Sequence, residues 1–280
     1  MASFHVMAGA AGGYNRVAVR KIGFSDVTAA LHQGARDFWE KPSHYFFLCL
    51  IYPIVGVFLI TWTSGNNALP LLFPLMSGFA LLGPIAALGL YEISRRRELG
   101  MDSSWRRAFD VRHSPALPSI VVVGIWIFAL FIVWLLCAKA LYVSLFGPAA
   151  PASASVFLNE VLNTDRGWKL ILWGNLIGLA FAVVVLATTV VALPLLLDRD
   201  VGVVAAMETS ARTVMVNPLP MLFWGLIVAV LLAIGSIPIF AGLAVVVPIL
   251  GHATWHLYRK VVEPDARVSA KKATAKYSTA

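Results

Sequence analysis

Cysteine is nearly absent, and the two that occur, Cys49 and Cys137, both lie inside apolar runs. That excludes a disulfide framework and a paired-cysteine metal site, and it leaves both as packing residues. Charge is scarce too: 13% of residues are charged against 59% hydrophobic, a balance that a water-soluble chain of 280 residues cannot bury. The solvent is therefore a bilayer. No Asp or Glu falls deep within an apolar run, since Glu92 sits at a border and Asp198 and Asp200 follow one. Proton-coupled carriers need ionisable groups at membrane depth, so this absence counts against them. Residues 1–41 lack the continuous apolar core of a cleaved signal peptide, and the N-terminus is expected to stay in the chain.

What is present is long apolar sequence. Six stretches approach the roughly 20 residues that a helix needs to cross a hydrocarbon core of about 30 Å: Tyr45–Thr63, Leu69–Tyr91, Leu117–Phe146, Leu170–Leu197, Pro220–Gly235 and Ile237–Tyr258. The last two are separated only by Gly235, Ser236 and the nearby Pro238, which have the chemistry of a tight turn. Of the 22 Lys and Arg, 19 fall before the first stretch, between the second and third, between the fourth and fifth, or after the sixth. Only Arg166 and Lys169 lie in the opposite loops, and Lys139 lies inside the third stretch. Basic residues gather on the cytoplasmic side of bacterial spans, so both termini are expected in the cytoplasm and the chain in the inner membrane. Tyr45, Tyr91, Trp168, Trp173, Trp255 and Tyr258 stand near stretch ends, where an amphipathic ring prefers the interface. The net charge of +8 is interspersed with the apolar runs rather than gathered on a soluble module, so nucleic acid is not an expected partner.

Three basic-side segments share a pattern of helical apolar spacing followed by proline. Ser25 caps a helix carrying Val27, Leu31, Gly34 and Phe38 before Pro42. Asp102 and Ser103 cap one with Trp105, Ala108 and Phe109 inward, Arg106 and Arg107 outward, before Pro115 and Pro118. Val204, Met207, Ala211 and Val214 repeat the spacing before Asn217, Pro218 and Pro220. Proline there stops the surface helix, and its fixed φ suits the first turn of the next. The predicted fold is all-α: a polytopic membrane bundle of six transmembrane helices in three hairpins, each preceded by a short cytoplasmic interfacial helix. It occupies residues 25–262, between a disordered N-terminus (1–24) and a disordered basic tail (263–280). Ser77, Ala80, Gly83 and Ala87 form a small-residue stripe suited to close helix packing, within the chain or against a partner.

Few residues carry chemistry. His252 and His256 are four apart and share a helix face, a spacing that serves a metal or a cofactor edge, with His44 and His113 expected at the same depth. No Glu or Cys completes a ligand set, and the plainer reading is interfacial histidines that hydrogen-bond backbone or headgroups; no metal and no cofactor is expected. Lys139 is a charge inside a span, with Asn175 as a polar partner on the next; snorkelling is the alternative to a transport role. Arg95, Arg96, Arg97, Arg106 and Arg107 make a basic loop suited to anionic headgroups, each worth on the order of 1 kcal/mol near a surface.

The run from Leu69 to Arg97, which reads Leu-Pro-Leu-Leu-Phe-Pro through Gly-Leu-Tyr-Glu-Ile-Ser-Arg-Arg-Arg, is the most specific part of a wider likeness. With Gly34-Ala-Arg-Asp-Phe38 before it and His252-Ala-Thr-Trp-His-Leu-Tyr-Arg259 after, it resembles an uncharacterised bacterial family of integral membrane proteins, catalogued as domain of unknown function 2189. The likeness covers roughly residues 25–262. Some members carry a cytochrome c oxidase subunit label, so the resemblance implies a link to respiratory complexes but brings no catalytic residues. The expectation is a non-enzymatic accessory or assembly component of a membrane complex, with the bilayer and other subunits or a second copy as partners. The alternative is a small-solute transporter or channel, and an enzyme with a histidine-bound cofactor comes third.

Overall fold

The computed structural model describes residues 17–40, 69–238 and 240–263, with single helical residues at 6–7 and between 54 and 63. Most of the first expected span, Tyr45–Thr63, and the tail beyond Glu263 lie outside the described residues. All the described elements are helical, and the one β-type contact is an isolated antiparallel bridge between Val19 and Val262.

Three helical segments are long and apolar enough to cross a membrane: α5 (Leu117–Phe146), the pair α7 (Asp165–Thr189) and α8 (Ala192–Asp198), and α10 (Pro218–Ser236). Only 22%, 33% and 17% of their most apolar windows are buried, so large side chains such as Ile125, Leu136, Leu179 and Leu226 point outward. Apolar faces of that extent need lipid or another helix against them. These are the third, fourth and fifth of the expected spans.

Proline sets the breaks in the others. The second stretch is cut into α2 (Leu72–Leu81), α3 (Gly83–Ala86) and α4 (Leu88–Glu98), and the first cut falls just ahead of Pro84, which supplies no N–H and restricts the residue before it. Pro194 acts likewise between α7 and α8. It has no N–H to donate to the Val190 carbonyl, the helix turns at Val190 and Val191, and the Ser210 hydroxyl accepts the Val191 N–H at 3.2 Å. After α10 the chain turns at residues 237–238 and 240–242, as the glycine, serine and proline there suggest. The turn includes Phe240 at φ 62°, with its ring against Gly56, and α11 begins at Leu243 and ends at Val261. A Cβ on Gly242 would stand 2.8 Å from the Gly235 carbonyl oxygen, so glycine lets the two helices meet there.

The basic-side helices depart from a repeated unit. α1 (Phe24–Glu40) is the expected helix, with Val27, Ala30, Gly34 and Phe38 buried, but it lies on α11. A Cβ on Gly34 would come within 2.4 Å of the Ala253 nitrogen, so this contact admits no side chain. Trp105–His113 is a 3₁₀ segment that buries only Ala108, while Trp105 and Phe109 are exposed, against the inward reading. α9 (Val203–Val216) buries Val203, Ala206, Thr209, Ser210 and Thr213; of the expected apolar face, Met207 and Val214 pack partly buried against the core while Val204 is exposed. Hydroxyls prevail because Thr209 and Thr213 donate to carbonyls one turn back while Ser210 caps the broken helix. Between these helices and the N-terminus, residues 17–23 run as an extended strap. Its Arg20 N–H donates to the Val261 carbonyl at 2.8 Å, and buried Asn217 accepts from the Ile22 N–H at 2.8 Å and donates to the Arg20 carbonyl at 3.1 Å. Arg212 closes the strap by donating to the Val17 carbonyl at 2.7 Å.

The consequence is a molecule of two ends. α1, the end of α4, the 3₁₀ segment and the end of α11 pack together, α9 joins them through α8, and α6 (Ala154–Asn163) with Arg166 occupies the other end.

Candidate functional site

At the basic end α4 lies against α11 and beside the ends of α1 and α8, and each brings ionisable side chains to it. Asp37 is the hub. Its Oδ2 lies 2.8 Å from His256 Nε2 and accepts a hydrogen bond from the Ser94 hydroxyl at 3.4 Å, and its Oδ1 lies 3.4 Å from Arg97. His252, fully buried, places Nδ1 2.6 Å from the same Ser94 hydroxyl. Arg97 also donates to the Asp37 carbonyl at 3.0 Å and pairs with Glu40. One carboxylate thus ties α1 to α4 and α11 through a serine, a histidine and an arginine.

Burial raises the Asp37 pKa, but the hydrogen bond from His256 and the charges of His256, His252 and Arg97 outweigh it, and the carboxyl is held below its ordinary 3.8. It stays ionised at neutral pH. Chemically the cluster can share a proton between carboxylate and imidazole, and mechanically it fixes three helices. Ser94 is 2% exposed, so its hydroxyl serves the interior.

Two further groups continue the pattern. Glu92, 2% exposed, accepts from Arg95 at 2.8 and 3.0 Å and from Arg96 at 2.7 Å, and Arg96 reaches Asp110 at 2.9 Å. Arg107 joins Asp102 at 2.9 Å and Asp110 at 3.3 Å. On the α11 side Tyr258 donates to Asp198 at 2.6 Å, Arg259 donates to Glu98 at 2.5 Å and Asp198 at 3.2 Å, and the Trp255 N–H reaches Glu98 at 3.3 Å.

The histidine pair therefore faces α4 and α1. His113 stands apart, well exposed and 3.9 Å from Asp110, and His44 lies outside the described residues. Among the described residues no group of three or more His, Cys, Asp or Glu is arranged to hold a metal. Lys139 and Asn175 are both exposed on their spans, and the Asn175 amide donates to the Ile171 carbonyl of its own helix at 2.7 Å. Of the arginines read as headgroup contacts, Arg95, Arg96 and Arg97 turn inward to carboxylates. Arg106 remains exposed, its guanidinium 5.8 Å from the Trp105 ring centroid. Asp37 and Ser94 escape a reading by motif. The one signal for Asp37 is its place three residues beyond Gly34, on the edge of the buried face.

Comparison with known proteins adds one decisive match. Residues 72–198 match the DUF2189 family, described as predicted integral membrane protein. The resemblance read from Leu69 to Arg97 is thereby shown. The DUF2189 stretch runs from α2 to the end of α8, so it takes in the arginine-rich α4, the 3₁₀ segment and two spans. Asp37, His252 and His256 fall outside it. No curated protein and no solved structure matches the chain.

Proposed function

We propose that this integral membrane protein is a non-enzymatic component of a bacterial inner membrane, serving as an accessory or assembly subunit of a larger membrane complex, with its basic end and both termini in the cytoplasm. One observation carries the reading. The ionisable residues of the basic end are engaged with one another across helices, as Asp37, Glu92, Asp198 and Glu98 each bridge two or more partners, whereas the spans leave long apolar faces outward. A rigid polar base under exposed apolar helices suits helix-to-helix association. The respiratory link rests on the labelling of some family members alone.

Purification of the tagged chain from its native membrane in a gentle detergent, with mass spectrometry and an absorbance spectrum, tests the proposal. Stoichiometric membrane subunits support it, and a partnerless, colourless preparation contradicts it. A visible absorbance band would favour a histidine-held cofactor instead. The transporter or channel reading has one observation in its favour, a cavity of about 570 Å³ at the basic end. Solute uptake that depends on the chain, with Lys139→Ala impaired, would favour that reading.

A further inference from the structure

That cavity lies between His113–Ala116, which lead into α5, and the last turn of α8, where two of the spans end. Charge of both signs lines it: Arg95, Arg107 and Arg199 on the one hand, Asp110, Asp198 and Asp200 on the other. With Arg96 and Glu92 the formal charges of its wall cancel. Glu92 holds Arg95 through Nε and Nη2, which leaves Nη1 without a hydrogen bond among the described residues. Arg107 uses Nε and Nη1, leaving Nη2. Arg199 Nε is buried, 3.5 Å from Asp198 and with no hydrogen bond. The N-terminus of α5 adds its positive dipole end.

Guanidinium edges of this kind recognise phosphate oxygens, and carboxylates recognise an ammonium. The two signs are interleaved around the lining, so a plain anion meets as many negative as positive groups, whereas a group with both charges can meet both. A volume of about 570 Å³ falls within the usual range for small-molecule sites. We propose that this cavity binds a phosphate ester that also carries an ammonium group. That chemistry is shared by the headgroup of phosphatidylethanolamine and by free phosphoethanolamine.

The full-length protein in detergent is titrated with phosphatidylethanolamine, with phosphatidylglycerol of the same acyl chains, and with phosphoethanolamine as competitor, and bound ligand is counted by native mass spectrometry. Phosphatidylethanolamine binds at least about tenfold more tightly than phosphatidylglycerol, and Arg107→Gln and Asp200→Asn each weaken it about tenfold, as loss of one charge-assisted contact implies. Their tryptophan-fluorescence melts match the unchanged protein, and Arg199→Gln replaces either variant that melts early. Competition by phosphoethanolamine assigns recognition to the headgroup alone; tight lipid binding without competition assigns it to a lipid. Either supports the site. Equal binding of phosphatidylglycerol, variants that bind as well as the unchanged chain, or no binding at all overturns it.

Discussion

Asp37 is where one side chain governs several helices. Its replacement by Asn leaves His256 and Arg97 facing a neutral amide in a half-buried site, and a lost charge-assisted hydrogen bond there costs about 1–3 kcal/mol. The detergent-solubilised Asp37→Asn protein should melt earlier at neutral pH, by tryptophan fluorescence; an unchanged melt would mean the hub carries no load. The pH dependence has a defined sign. Because the folded carboxyl sits below its ordinary 3.8, its contribution is complete above that value and is lost as pH falls through the folded pKa. Asp37→Asn should therefore flatten the acid limb of the melting profile below about pH 4 and leave its shape above that unchanged. Asp37 was not legible as a hub, because an acidic residue in an amphipathic helix ordinarily faces water. Its meaning depends on helices distant in sequence, since Ser94 and Arg97 come from α4 and His256, 219 residues away, from α11. His252 and His256 were legible as a pair sharing a face, since i,i+4 spacing is local, but what that face meets is not.

Whole elements were legible where backbone chemistry decides them. Pro84, Pro194 and the residues around Ser236 have helix breaks at or beside them, whereas Pro74 and Pro248 lie within α2 and α11 without interrupting them. The face of α9 was legible only in part: Met207 and Val214 pack against the core as the spacing suggests, but the most buried side carries Thr209, Ser210 and Thr213, of which Ser210 satisfies the break at Val191. α1 shows the other case: its buried face follows from spacing, but its partner, α11, does not. Gly34 tests that pairing. Gly34→Val forces a side chain into the Ala253 backbone and should destabilise by about 1–3 kcal/mol or prevent stable insertion, read as lowered melting temperature and yield. Behaviour like the unchanged protein would contradict the α1–α11 contact. Asn217 tests the strap. Asn217→Ala removes its bonds to Ile22 and Arg20, so trypsin should cut after Arg20 or Lys21 markedly faster, while equal cutting rates would show that the strap is held elsewhere.

At the scale of the molecule, the described basic residues before α1, in α4 and the 3₁₀ segment, around α9 and at the end of α11 lie at one end, and Arg166 and Lys169 lie at the other. The order of basic and apolar segments is legible because it needs only the sequence. The form of the second and sixth stretches was less legible: the second is broken into three helices, and α11 buries His252 and brings His256 to Asp37. α5, at 30 residues, would run about 45 Å, longer than a hydrocarbon core of roughly 30 Å, so it reaches past the bilayer at one end or both. The proposed orientation puts the Asp37 cluster of this membrane bundle on the cytoplasmic side. Single cysteines at Arg106 and at Ser155, in a chain with Cys49 and Cys137 replaced by serine, are to be labelled with a membrane-impermeant maleimide in spheroplasts and in inverted vesicles. The cysteine at 106 should react only in inverted vesicles and the one at 155 only in spheroplasts; reaction of both from the same side, or the reverse pattern, would contradict the orientation.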